Sequence, residues 1–173
     1  MNTFPLSLSR TLFALRLSLA LCFLFVSVTV AQSTATRAVT FQVYSGSTSQ
    51  GSSCFSKNNA TLYCKGGGAG GGRGFNVAVF YPGTDILKDA VNFDTWGLGS
   101  AAATELLNFL DAVPQGSLVL VSVGDEAGLL DWQHGYVYYP YAESLLRAME
   151  AFGSKQIRSY SYRDAWCLGT GKK

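Results

Sequence analysis

Phe75-Asn76-Val77-Ala78-Val79-Phe80-Tyr81-Pro82-Gly83-Thr84-Asp85-Ile86 decides the fold of this chain. The stretch Phe75 to Tyr81, apolar at every position but Asn76 and rich in β-branched and aromatic side chains, predicts a strand. Pro82-Gly83-Thr84-Asp85 then turns the chain into a second extended segment, Ile86 to Asp94, so the two read as an antiparallel hairpin. Downstream, Ser100 to Ala112 sets Leu106, Leu107, Phe109 and Leu110 on a helical stripe, with Ser100 as N-cap and Pro114-Gln115-Gly116 as the stop. Ser117 to Val123 is a continuous apolar run, the pattern of a strand buried on both faces or nearly so. Tyr141 to Phe152 carries Leu145, Leu146, Met149 and Phe152 at helical spacing, and Gly153 reads as its C-cap. Gln156 to Tyr162 alternates as a last strand. Upstream, Val39 to Ser45 alternates as a half-buried strand and Gly46 to Ser53 is loop. The expected fold class is α+β: a layered, mainly antiparallel β-sheet, β-sandwich-like, with flanking short helices.

The run Gly66-Gly67-Gly68-Ala69-Gly70-Gly71-Gly72 satisfies a GxGxxG pattern by glycine content alone. A dinucleotide fingerprint follows a strand and opens a helix, whereas this run precedes a strand, so it reads as loop and no cofactor is expected.

Residues 1–31 contain Arg10 and Arg16, no acid, an apolar run from Leu17 to Val30 and small residues Thr29 and Ala31. That order is a secretory signal peptide, cleaved to leave Gln32 first and one domain over 32–173. A type II membrane anchor over 17–31 is the alternative, shorter than the ~20 residues a span needs. After cleavage, eleven Lys plus Arg face eleven Asp plus Glu, scattered along the chain. The balance excludes a basic footprint for nucleic acid, and no second apolar run reaches membrane length. An extracellular, soluble mature protein is expected.

Cys22 leaves with the signal, so Cys54, Cys64 and Cys167 remain in an oxidising compartment. Three cysteines allow one internal bridge. The local pair Cys54–Cys64 closes a short loop worth roughly 2.5–3 kcal/mol and leaves Cys167 as a free thiol, available to join two chains as a disulfide-linked homodimer. With one histidine, His134, and no CxxC spacing, no metal site is expected. Asn59-Ala60-Thr61 is an N-glycosylation sequon inside the stapled loop.

Four motifs in register carry a resemblance: Gly72-Arg73-Gly74-Phe75-Asn76-Val77-Ala78-Val79; Asn92-Phe93-Asp94-Thr95-Trp96-Gly97; Val119 through Gly124-Asp125-Glu126-Ala127; and Gly153-Ser154 with Tyr162-Arg163-Asp164-Ala165-Trp166 and Gly171-Lys172. Together they resemble the ILEI/PANDER domain family over about Thr40 to Lys172. That domain occurs in secreted cytokine-like proteins, in the stem of the protein O-mannose N-acetylglucosaminyltransferase and in a cell-surface hyaluronan-degrading protein. The resemblance also matches Phe41, Ser45, Gly46 and Cys54 to a Phe-x-x-x-Ser-Gly pattern leading to a cysteine. The family's partner for that cysteine lies upstream and is missing here, so Cys64 looks like a local substitute.

In the carbohydrate-binding stem domain the aspartate and arginine matching Asp125 and Arg163 contact the sugar, so the resemblance implies that role for them. A salt bridge locking two strands is the other reading of the same pair. Asp94 with Trp96, and Asp164 with Trp166, offer carboxylates and apolar faces suited to a sugar ring, or core packing. Arg73, between two glycines, either reaches across to a ligand or guards an edge strand. Leu130 to Tyr141, with Trp132, His134, Tyr136, Tyr138, Tyr139 and Tyr141, either walls this site or packs as a lid. Enzymatic readings are weaker. No Gly-x-Ser-x-Gly elbow exists, and neighbouring Asp125 and Glu126 point to opposite faces of an extended strand, which leaves Asp125 with Asp131 as the remaining acid pair. The expected function is a secreted, non-catalytic recognition domain for an extracellular glycan. A cytokine-like ligand of a protein receptor is the alternative and a carbohydrate-active enzyme the second alternative.

Overall fold

The computed structural model describes residues 38–47, 51–67 and 71–173. The expected signal peptide, its cleavage before Gln32, the alternative anchor and Cys22 lie outside the described residues. Among the described residues no helix is long and apolar enough to cross a membrane.

β4 (Gly74–Phe80) is the hub, buried along its whole length. A strand directs successive side chains to opposite faces, so Phe75, Val77 and Val79 serve one layer and Asn76, Ala78 and Phe80 the other. It pairs antiparallel with β5 (Leu87–Phe93) on one side and β6 (Leu118–Gly124) on the other, and β6 pairs with β9 (Cys167–Gly171), giving the order β5-β4-β6-β9. On one face Phe75, Val77, Val79, Val119, Val121 and Val123 meet the apolar stripes of α1 (Ser100–Asp111) and α2 (Ala142–Ala151), led by Leu106, Leu110, Leu145, Leu146 and Met149. On the other face Ala78, Phe80 and Leu120 pack on Phe55 and on Phe41, Val43, Leu62 and Tyr63. Those belong to a second antiparallel sheet, β1 (Phe41–Tyr44), β2 (Ser52–Lys57) and β3 (Ala60–Gly66), in the order β1-β2-β3. The result is the expected α+β layering of sheet on sheet on helices.

Polar groups that face the sheet-to-sheet layer are paired, as burial requires. Tyr63 Oη donates to Asn76 Oδ1 at 2.9 Å, and the Ser53 and Ser122 hydroxyls bond to each other. Cys54 and Cys64 face each other in the β2–β3 register and form the disulfide.

Two local readings are corrected. Ser100 is the first residue of α1 rather than its cap. Gly99 takes the N-cap position at φ 55° without a side-chain cap, a left-handed conformation natural to glycine. The last strand is not Gln156–Tyr162. Ile157 and Tyr160 are both buried three residues apart, the period of the 3-10 turn that Ile157–Ser159 adopts, and the strand forms instead at Cys167–Gly171. The C-terminus of α2 closes as read from Gly153: at φ 99° its N–H donates to Glu150 O and Ser154 N–H to Met149 O, a Schellman arrangement.

Register determines where the polar strand ends fall. Gly74 faces Gly124, Phe75 faces Phe93 and Ser122 faces Cys167. The start of β4, the end of β5, the end of β6 and the start of β9 therefore share one end of the sheet. Arg73, Asp94, Asp125 and Trp166 all flank that end.

Candidate strand-end recognition site

Arg73 and Asp94 face each other in a two-pronged ion pair, Nε to Oδ1 at 2.8 Å and Nη2 to Oδ2 at 2.6 Å. Gly97 N–H adds a third bond to Asp94 Oδ1 at 2.8 Å, and the guanidinium lies 4.4 Å over the Trp96 ring. A Cβ on Gly97 would overlap the Arg73 guanidinium, so glycine is needed for the close approach. Burial pushes the Asp94 carboxyl up, but the bonds from Arg73 and Gly97 and the charge of Arg73 prevail and hold it below its ordinary value. Bonding to Asp94 in turn raises Arg73, opposed by burial and aided by the charges of Asp94 and Asp125. The backbone of Arg73 is fixed as well: Asn92 Nδ2 donates to its carbonyl at 2.9 Å and to Asn76 Oδ1 at 3.1 Å.

Asp125 and Arg163 form the second pair, built differently. β6 ends at Gly124, where a Cβ would run into the Gly72 carbonyl, and Asp125 follows at φ 56° with its N–H donating to Gly46 O at 2.8 Å. Arg163 is also left-handed, at φ 60°. Two non-glycine residues in this region cost about 1–3 kcal/mol each, a strain that clusters at functional sites. The Asp125 side chain is 8 % exposed and that of Arg163 48 %, and Nε stands 3.4 Å from Oδ1. Among the described residues, Asp125 Oδ1 is buried and has no hydrogen-bond partner. The Arg163 guanidinium lies 5.3 Å over the Tyr162 ring, and Tyr162 meets Tyr136 edge-on at 6.1 Å.

Glu126 holds this loop in place. It is buried, and its Oε2 accepts Arg163 N–H at 2.6 Å while Oε1 accepts Gly128 N–H at 3.0 Å and Tyr160 Oη at 3.4 Å. Burial raises its carboxyl above the ordinary value, against the lowering by the N–H groups of Arg163, Gly128 and Ala127 and by Tyr160. Desolvation likewise pushes the Tyr160 phenol up. Sequence reasoning put Asp125 and Glu126 on opposite sides without giving Glu126 a task. The signal was two adjacent acids just after an apolar strand; both are buried, Asp125 against Arg163 and Glu126 on the loop N–H groups.

The aromatic segment is a small hairpin, β7 (Leu130–Asp131) against β8 (Val137–Tyr138), around a 3-10 turn at Trp132–His134. Asp131 is used locally: it accepts Gln133 N–H and His134 N–H and contacts His134 Nδ1 at 2.6 Å. Tyr141 Oη donates to Gly128 O at 2.8 Å, and its ring stacks on Tyr139 at 5.5 Å. Tyr136, at φ 61° and 56 % exposed, is the residue that leans toward Arg163 through Tyr162. The Trp132 side chain lies outside the described residues.

Of the sequence-derived site residues, Asp125 meets Arg163, and Arg73 meets Asp94 beside them. Trp166 is placed in the core, 8 % exposed and edge-on to Phe75 at 6.1 Å. Its backbone still serves the site end, since its N–H donates to Ser45 Oγ at 2.9 Å and its carbonyl accepts Val123 N–H. Trp96, 39 % exposed, supplies the indole surface instead. The arrangement is a row: Trp96 against Arg73, Arg73 in the field of Asp125, Asp125 against Arg163, and Arg163 over Tyr162, which meets Tyr136. Cys167, at the start of the edge strand β9, is an exposed free thiol.

A family model described as "Interleukin-like EMT inducer" matches residues 73–172, from the first arginine of this row through β9. The chain is similar to the rat protein named "Protein FAM3C", 31 % identical over 101 residues. That match takes in 58 % of this chain and 39 % of the rat protein's length.

Proposed function

The chain belongs to the interleukin-like EMT inducer family, and from that premise we propose that it is a secreted, non-catalytic, cytokine-like domain that binds a protein receptor through the strand-end row. The observation that carries the reading is the content of the row. Arginine, tryptophan and tyrosine are the side chains that dominate protein-interface energetics, and here Arg163, Trp96 and Tyr136 stand exposed or half-exposed on one rigid strand end. The disulfide of the β2–β3 hairpin suits an oxidising, extracellular setting. Labelled protein applied to a panel of animal cells tests the proposal. Saturable binding abolished by surface proteolysis and lost with Arg163→Ala is expected, and binding indifferent to both overturns it.

One observation favours a glycan as the second reading. A half-exposed guanidinium, held by a single 3.4 Å contact to a buried carboxylate, keeps N–H donors that a sugar hydroxyl can use. Loss of cell binding on glycosidase treatment rather than on proteolysis, with a matching signal on a glycan array, would select it.

A further inference from the structure

The structure assigns Asn59 as an N-glycosylation site carried at the end of the molecule opposite the strand-end row. Asn59-Ala60-Thr61 is the sole Asn-x-Ser/Thr sequon in the sequence. Asn58 and Asn59 form the two-residue turn of the β2–β3 hairpin at φ 50° and 66°, with Lys57 paired to Ala60 across it. The two asparagines differ in availability. Asn58 is tied to Thr40, just before β1, its N–H donating to Thr40 O at 2.8 Å and its Oδ1 accepting Thr40 N–H at 3.0 Å. Asn59, Ala60 and Thr61 are all exposed, and Asn59 has no side-chain partner among the described residues. The disulfide crosses the middle of the hairpin that presents this tip.

The direction of the tip follows from register and from Lys57. Lys57 Nζ reaches Asp85 in the β4–β5 turn, at 3.0 Å to its carbonyl and 3.1 Å to its carboxylate. That turn is the far end of β4 from Arg73. At the other end of the same sheet pair, Ser45 Oγ donates to Val123 O and Gly46 O accepts Asp125 N–H. An oligosaccharide on Asn59 therefore extends past Pro82–Asp85 and leaves the row open. The transfer itself draws on a lipid-diphosphate-linked oligosaccharide. Asn59 Nδ2 bonds to the sugar C1 as the C1–O bond breaks, its proton passes to solvent, and the lipid diphosphate leaves with the C1–O electron pair. Nothing is oxidised or reduced.

Expression of the full chain in eukaryotic secretory cells, with intact mass before and after peptide-N-glycosidase, is the test. Secreted protein is expected to lose the mass of one oligosaccharide, with peptide mapping placing the resulting aspartate at position 59. Asn59→Gln and Thr61→Ala should each remove that loss, while Thr61→Ser and Asn58→Gln keep it. Thr61→Ala tests the sequon without touching the turn if Asn59→Gln is poorly secreted. Secreted protein indifferent to the enzyme, a glycan that survives Asn59→Gln, or a chain that never enters the secretory pathway would each overturn the assignment.

Discussion

The two arginine–aspartate pairs at the strand end are unlike in every respect that matters for function. Arg73–Asp94 is closed: two bonds between the partners, a third from Gly97 and an indole beneath the guanidinium. Asp125–Arg163 is open: one contact at 3.4 Å, a buried oxygen without a donor, and both backbones in the left-handed region. A closed pair has its bonding capacity spent within the fold, so it acts as scaffold. An open pair keeps capacity that a ligand can use, and its backbone strain is offset by the packing around it. Residue types alone do not separate the two.

The sharpest way to break this distinction is to remove one partner from each pair and watch stability. Asp94→Ala strands a mostly buried guanidinium and should cost about 3 kcal/mol, lowering Tm by roughly 10 °C. Gly97→Ala should move the same way, because its methyl displaces the Arg73 guanidinium. Scanning calorimetry of both checks this. Unchanged melting would mean that the closed pair is not scaffold.

Arg163→Gly should show a different pattern. Glycine occupies φ 60° without the side-chain clash, which offsets part of the loss of the single 3.4 Å contact to Asp125, so Tm should fall by less than in Asp94→Ala, while binding to responsive cells should weaken roughly ten- to hundredfold with the charged contact gone. A large loss of Tm in this variant would turn the open pair into scaffold too and remove the basis for a site there.

The layers were legible in the sequence because burial writes itself as apolar runs: β4 and β6 are covered on both faces and read so. The site was legible in part. Asp125 and Arg163 came from their motif positions, but that Arg73 and Asp94 complete each other depends on β4–β5 register, which side-chain pattern alone does not fix. Trp166 was open to a sugar-facing or a packing role, and the packing role is the one it takes, with its ring turned inward to Phe75. β9 was hidden by its two glycines, weak strand formers that here follow the pairing offered by β6.

Opposite pH slopes sharpen the comparison further. Asp94 is held below its ordinary value of 3.8, so its contribution is present above that pH and is lost as acid takes the solution down through the folded value. Glu126 is raised above its ordinary value of 4.5, so its contribution is complete below that pH and is lost as pH rises through the folded value. In urea titrations from about pH 2 to about pH 7, the stability gap between the parent and Asp94→Asn should widen with rising pH, and the gap to Glu126→Gln should narrow. Parallel slopes would show that the two carboxylates are not in contrasting surroundings.

The smallest effect on the fold belongs to Cys167. Its thiol is exposed and free of any disulfide among the described residues, at the start of an edge strand, whereas Cys54 and Cys64 are spent on each other. Cys167→Ser should therefore change the unfolding free energy by no more than about 0.5 kcal/mol. Its readout lies in assembly: if oxidation joins two chains through this thiol, the parent runs as a dimer on a non-reducing gel and Cys167→Ser as a monomer. β9 pairs with β6 on one side, and its outer edge is where a second chain would lie against the thiol. A dimer that persists in Cys167→Ser would move the covalent link to the hairpin cysteines. It would also show that the Cys54–Cys64 bridge exchanges, reversing the contrast between spent and available sulfur on which the expectation stands.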